Sequence, residues 1–218
     1  MKLDSAKDLF DAVQPLATGN EASIKGKATL FPGQARRAAG LAFMQMVMAL
    51  EDLIEAAFIR YIAGAPAPNG TAPNLRLGAA ENLQHAYQLL SGNPSHRAGI
   101  DYLTWSDWSA TIKLSKVFFV DGAPFSSLTH LEKDRLRDAT KIRNRVAHFS
   151  DKCRKDFNEV ARTHLGLGSN DKLRKGHSVG DLLIVKSPRC FGKNCGNKFY
   201  FDHYHQLFQA VAQKICPK

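Results

Sequence analysis

Lys141-Ile142-Arg143-Asn144-Arg145-Val146-Ala147-His148-Phe149-Ser150 is the stretch around which the chain organises itself. From Leu131 to Arg145 the sequence holds helix formers and neither Gly nor Pro, so a helix is expected there. Asn144 and His148 stand four residues apart and share a helix face. Arg143 and His148 stand five apart, about 140° around an ideal helix, and would flank a groove rather than stack. Leu136, Ala139, Ile142, Val146 and Phe149 recur at three- to four-residue spacing and read as the core face of the same helix.

These residue types suit one chemistry. Arginine is always charged and its planar fork matches phosphate oxygens. Histidine titrates near neutrality and serves as general base or acid. RNA brings its own nucleophile, the 2′-hydroxyl, so a base and a fixed cation suffice to cleave it without a metal or other cofactor. The bland alternative is a histidine at the core edge bonded to a backbone carbonyl, since short Arg-His spacings arise by chance. Against it, this is the only Arg-x(4 to 6)-His spacing in the sequence, and a polar Asn directly follows the Arg.

The form Arg143-Asn144-x-x-Ala147-His148 resembles the R-N-x-x-A-H signature of the HEPN superfamily (higher eukaryotes and prokaryotes nucleotide-binding). Ala49-Leu50-Glu51-Asp52-Leu53-Ile54-Glu55 is similar to the acidic, amphipathic first core helix of HEPN domains related to the RiboL-PSP group. The resemblance covers roughly residues 35–165 and none of the segment after about Arg162. It implies an all-α, HEPN-type helical bundle that pairs as a homodimer, its two motifs facing a shared cleft. It also implies metal-independent ribonuclease activity of a toxin–antitoxin or phage-defence kind, with a possible cognate antitoxin as partner. Carried onto this chain, the catalytic residues are Arg143 and His148, with Asn144 as their polar partner. Other members have lost catalysis and only bind RNA or nucleotides.

Charge points the same way. The formal net charge is +10, from Lys+Arg 30 and Asp+Glu 20. Residues 1–130 hold 11 basic and 11 acidic side chains, whereas residues 131–218 hold 19 and 9, so the whole excess lies in the part that begins with the motif helix. A one-sided basic surface favours a polyanion; solvated lysine on an ordinary basic protein is the alternative. Lys141, Arg145, Lys152, Arg154 and Lys155 are the expected RNA-binding residues, with Lys152, Arg154, Lys155 and Arg162 as a phosphate track.

At 218 residues a single domain is expected, with its core over about 32–165 and an appendage over about 166–218. Met1-Lys2-Leu3-Asp4 opens on no secretory pattern, and four cysteines then read as free thiols in a reducing cytoplasm. The most apolar stretch, Ala38 to Ile62, is interrupted by Gln45, Glu51, Asp52, Glu55 and Arg60, so no membrane partner is expected.

Further helices are expected over Asp4–Gln14, Pro32–Ile62, Gly78–Leu90, Asp151–Leu165 and Asp202–Ile215, with Ile100–Val120 helical or mixed. On the long helix, Leu41, Met44, Met48, Ile54, Phe58 and Ile62 form the expected core stripe. Its methionines read as core filler rather than a soft metal box. Leu16–Pro32 reads as a connection or lid, Ala63–Pro73 as a long flexible loop, Asp121–Pro124 as a turn, and Ser126, Ser127 or Thr129 as the cap of the motif helix. Trp105 and Trp108 read as core or interface residues, with base stacking as the sharper option. An acid among Glu51, Asp52 and Glu55 would orient His148 if it faced the motif.

Leu182-Leu183-Ile184-Val185 and Lys198-Phe199-Tyr200-Phe201 are expected to pair as a small C-terminal β-hairpin. Zinc on Cys190, Cys195, His203 and His205 is disfavoured by spacing. No Gly-x-Ser-x-Gly, phosphate-binding loop or dinucleotide fingerprint occurs. Two non-catalytic classes stay open: an RNA- or nucleotide-binding module on the same fold, and a structural interaction protein whose Trp105–Trp108 stripe is the contact.

Overall fold

The computed structural model describes residues 2–17, 30–101, 103–168, 171–187 and 197–218. Among the described residues, helix accounts for 66% and the one sheet is a two-stranded antiparallel pair, so the class is all-α with a very small β element. In order come α1 (Lys2–Ala17), α2 (Pro32–Ile62), α3 (Leu83–Ser91), α4 (Trp108–Phe118), two short 3-10 turns (Val120–Gly122 and Phe125–Ser127), α5 (His130–Ala147), α6 (Asp151–Leu165), α7 (Val179–Leu183), β1 (Lys186–Ser187), β2 (Lys198–Phe199) and α8 (Tyr200–Ile215). The expected lid over Leu16–Pro32 lies largely outside the described residues, as do Cys190 and Cys195.

The helices begin and end where local chemistry satisfies their loose backbone groups. Thr129 and Glu132 cap α5 reciprocally: the Thr129 hydroxyl accepts from the Glu132 N–H, and the Glu132 carboxylate accepts from the Thr129 N–H. Ser150 caps α6 through the Cys153 N–H, and Gly166, in the left-handed region, closes it. Asn82 and Asp107 cap α3 and α4 in the same way. Ser178 and Asp181 form a second reciprocal cap on α7.

The chain divides into two compact units: residues 1–49 with 135–207, and residues 50–134 with 208–218. In the first, the core is aromatic. The rings of Phe10 and Phe201 stack at 4.0 Å, and Phe43 meets Tyr204 edge-on at 5.1 Å. Leu136, Ala139 and Ile142 of α5 and Phe157, Val160 and Ala161 of α6 are buried. The segment after residue 166 supplies much of this core, through Leu182, Leu183, Tyr200, Phe201 and Tyr204.

In the second unit, Phe58 gathers Trp105, Phe119 and Phe125 at 5.3, 5.2 and 4.6 Å. The Tyr61 hydroxyl donates to the Ile215 carbonyl at 2.7 Å, and Lys214 pairs with Glu132 at 2.8 Å. Trp105 and Trp108 are both buried, in line with the core reading and against base stacking on their faces.

Three expectations need correction. The apolar stripe of α2 is rotated in its first half: Leu41 and Met48 are exposed, while Ala39, Ala42, Phe43 and Met46 are buried. Small residues occupy that face, where Gly40 meets the Val146 and Val179 side chains, so the inward face is set by these neighbours rather than by side-chain size within α2. Leu182 and Leu183 belong to α7, not to a strand. The Ser178 cap starts a helix before that run can extend, and pairing is left to Lys186 with Phe199 and Ser187 with Lys198. Tyr200 and Phe201 likewise open α8. Phe149 is 83% exposed rather than core, because α5 ends two residues earlier and the chain turns to start α6.

Candidate functional site

The motif occupies the end of α5 and the short turn into α6, within the first unit. Ile142 is fully buried and fixes the helix rotation. Val146 is half-buried against α2, where a Cβ on Gly40 would sit 3.5 Å from its Cγ2. With those two residues inward, Arg143 and Asn144 lie part-buried at the edge and His148 is exposed just past the last helical residue.

Arg143 Nη1 donates to Asn144 Oδ1 at 3.0 Å. This consumes the amide oxygen of Asn144 and leaves its Nδ2 group to donate. The His148 N–H donates to the Asn144 carbonyl at 2.8 Å, so the backbone carries His148 one turn beyond Asn144 although the helix has ended. The structure therefore brings Arg143 and Asn144 into direct contact and places the backbone of His148 one turn beyond them, its side chain exposed and unbonded to any described side chain. Glu55, one of the acids considered for orienting that ring, accepts the Tyr87 hydroxyl at 2.8 Å instead, which pushes the Tyr87 pKa up to about 12 by burial and by the carboxylate.

The expected RNA-binding residues divide by their partners. Lys141 pairs with Glu159 at 3.1 Å and Arg154 with Asp151 at 2.9 Å. Both pairs are at the surface, where such contacts are worth about 0–1 kcal/mol and yield readily to a phosphate. Arg145 reaches back to the His148 carbonyl at 3.5 Å and lies 5.6 Å over the Phe149 ring, so its charge sits at the negative end of the α5 dipole. Lys152 and Lys155 are exposed, and among the described residues neither is in an ion pair. Arg162, the last residue of the expected track, donates to the Gly168 carbonyl at 2.6 Å.

Two further groups of residues stand out, the second within Gly166–Gly176, which the sequence marks as a polar, basic loop. One centres on the half-buried His164: its Nε2 is 2.9 Å from the hydroxyl of the buried Tyr204, and the Tyr200 hydroxyl donates to the His164 carbonyl. Burial, and secondarily the nearby Arg135 guanidinium, push the His164 pKa down to about 3, so this imidazole is neutral at physiological pH and structural. The other is the exposed basic segment Lys172, Arg174 and Lys175, where charge density was the available signal. Of the disfavoured zinc ligands, His203 Nε2 meets the Ser187 carbonyl at 2.9 Å and His205 faces Asp4 at 3.5 Å.

Comparison with family models, curated proteins and solved structures found no match to this chain. The site is therefore read from its own residues. Among the described residues, no helix is long and apolar enough to cross a membrane.

Proposed function

We propose that the chain is a HEPN-type helical protein that cleaves RNA endonucleolytically without a metal, through Arg143, Asn144 and His148. The observation that carries this reading is the end of α5, where an exposed histidine follows, one turn on, an asparagine whose side chain is bonded to a guanidinium, in the basic part of the chain. His148 takes the proton from a 2′-hydroxyl. The O2′–P bond forms and the P–O5′ bond breaks, and the departing O5′ collects a proton. The products are a 2′,3′-cyclic phosphate and a 5′-hydroxyl. Arg143 and the Asn144 amide stabilise the crowded phosphate between. Lys141, Arg145, Lys152, Arg154 and Lys155 hold the flanking phosphates. A homodimer, an antitoxin partner, a toxin or defence role and a cytoplasmic site of action all follow from the family resemblance and belong to the same proposal.

One observation favours a second reading. The His148 ring has no orienting carboxylate among the described residues, which suits a module that binds RNA without cutting it. The test is RNA cleavage in EDTA by the wild type and by His148→Ala, with end-group analysis. Cyclic-phosphate ends from the wild type alone support the nuclease. Binding without cleavage by either protein selects the binding module, and equal cleavage by both removes His148 from the mechanism.

A further inference from the structure

Beyond the motif, the densest exposed charge in the described part of the first unit is the segment Asp171-Lys172-Leu173-Arg174-Lys175-Gly176-His177. Its one carboxylate is already engaged, with Asp171 Oδ2 accepting from the Gly168 N–H at 2.7 Å. Lys172, Arg174 and Lys175 are exposed, and among the described residues none of them is in an ion pair. Lys141 and Arg154 nearer the motif do have acidic partners, so these three cations are the less compensated set.

The segment is held at both ends. At its start, Arg162 Nη2 bonds the Gly168 carbonyl at 2.6 Å. At its end, the His177 ring stacks on Phe157 of α6 at 6.2 Å with the planes 15° apart, and the His177 N–H donates to the Arg174 carbonyl at 3.0 Å. The Ser178–Asp181 cap follows at once, and Asp181 pairs with Arg36 at 3.1 Å. Gly180 lies so close to α2 that a Cβ there would fall 2.0 Å from the Arg36 carbonyl oxygen. Three like charges held in a fixed segment repel one another unless an anion joins them.

Position links this segment to the motif. A Cβ on Gly40 would lie 3.5 Å from Val146 Cγ2 and 3.8 Å from Val179 Cγ1. Val146 is two residues before His148 and Val179 is two residues after His177, so the end of the motif and the end of the basic segment flank one notch on α2. α6 connects them from the other side: it starts at the motif turn, carries Lys152 and Lys155, and meets His177 through Phe157.

We propose that Lys172, Arg174 and Lys175 form a second phosphate-binding segment beside the motif, which makes the ligand an RNA strand several nucleotides long rather than a mononucleotide. This rests on the RNA reading of the motif above. Lys172 to Lys175 spans at most roughly 10 Å of backbone, and the long side chains of its three cations widen that reach enough for each to meet a separate phosphate along a strand. An anionic membrane is the poorer partner, because Leu173 is the one apolar side chain between Asp171 and His177 and membrane binding needs buried apolar area as well as charge.

The experiment measures binding of a single-stranded RNA of about 20 nucleotides across a salt series, in a His148→Ala background that keeps the RNA intact. Three further changes are compared: K172E/R174E/K175E, the neutral K172Q/R174Q/K175Q, and a control reversal, K113E/K116E, on exposed α4 lysines of the second unit. The expected result is binding about tenfold or more weaker for the loop reversal at about 0.15 M salt, with a log–log salt slope shallower by about 2, as for three lost phosphate contacts. The neutral variant moves the same way by less, and the control hardly moves. If the parent binds RNA and the loop reversal matches the control, this inference is wrong while the motif reading stands. If the loop reversal impairs binding to phosphatidylserine vesicles and leaves RNA binding intact, the segment is a lipid contact and the inference also fails. If the parent binds no RNA at any salt, the motif reading falls and takes this one with it.

Discussion

Arg143 Nη1 is hydrogen-bonded to Asn144 Oδ1 at 3.0 Å, so the two polar residues of the motif act as one part. The bond fixes one edge of a guanidinium whose planar geometry suits phosphate oxygens. A lysine at this position keeps the charge but has neither the fork nor the planar geometry. Arg143→Ala is expected to lower kcat by about 10²–10³, the size of one lost donor to a developing oxyanion. Arg143→Lys is expected to recover only a small part of that loss. Steady-state cleavage of a fluorogenic RNA measures both, and full rescue by lysine would reduce Arg143 to a point charge.

The same bond gives Asn144 a polarity. Its oxygen accepts from Arg143, which leaves the amide hydrogens as its remaining polar function. Asn144→Ala removes the support and the donors together and is expected to lower kcat about tenfold or more, as for a lost charge-assisted hydrogen bond. Asn144→Asp would hold Arg143 at least as firmly, yet it replaces the donors with negative charge facing the substrate phosphate. It is therefore expected to be the worse enzyme of the two, with the larger rise in KM. An Asp variant more active than the Ala variant would mean that the amide makes no contact with the phosphate.

How far the sequence carried depended on whether the cause was local. α2 and α6 begin and end where propensity and capping put them, and Thr129 is one of the three caps named for α5. The place of Arg143 and Asn144 on one helix end was legible for the same reason. What failed depended on partners far along the chain. Leu41 and Met48 are exposed while Gly40 faces Val146 and Val179 at ordinary contact distance, a relation no window around residue 41 contains. Leu182 and Leu183 read as β until the Ser178 cap is given its due. The neutral, half-buried His164 depends on Tyr200 and Tyr204, some forty residues away, and nothing in its own neighbourhood announces it.

The close approach of α7 to α2 can be tested through two glycines. A Cβ at Gly180 would overlap the Arg36 backbone at 2.0 Å, whereas one at Gly40 would meet its nearest neighbour at an ordinary 3.5 Å. Gly180→Ala must displace backbone and is expected to cost about 1–3 kcal/mol, the range of core overpacking. Gly40→Ala adds no clash in a helix interior and is expected to stabilise by up to about 1 kcal/mol through helix propensity. Denaturant unfolding of the two variants compares them directly. If both behave alike, the packing of α7 on α2 is looser than these distances say.

His164 sets a pH limit on stability. Burial, then Arg135, hold its pKa down to about 3, against 6.5 for the free side chain. The unfolded chain thus binds a proton that the folded one refuses between those values. Its contribution is complete above about pH 6.5 and is lost as pH falls toward 3. At about pH 4.5 the loss is about 2–3 kcal/mol. Glu132, where burial is outweighed by hydrogen bonds from Lys214 and Thr129, titrates below its ordinary value and so affects this comparison little. His164→Gln, which keeps a polar partner for Tyr204, should flatten the stability profile from about pH 6.5 to 4.5 while lowering the plateau. Unfolding curves at the two pH values decide it: an unchanged pH slope in the variant would place the titrating group elsewhere.

Phe149 lies 83% exposed between His148 and the Ser150 cap, with the Arg145 guanidinium 5.6 Å over its ring. A large aromatic in that position adds nothing to the core, so Phe149→Ser is expected to change stability by less than about 0.5 kcal/mol. If the protein pairs through the motif face as the HEPN resemblance implies, the same change removes an aromatic anchor of the kind that dominates interfaces and weakens self-association by about tenfold or more. Cleavage would then fall at low protein concentration and recover at high concentration, because His148 and Arg143 are untouched. Sedimentation of both proteins over a concentration series, alongside activity, measures the effect. A wild type that stays monomeric throughout while cleaving RNA would show that one copy of the motif suffices and that Phe149 serves the substrate instead.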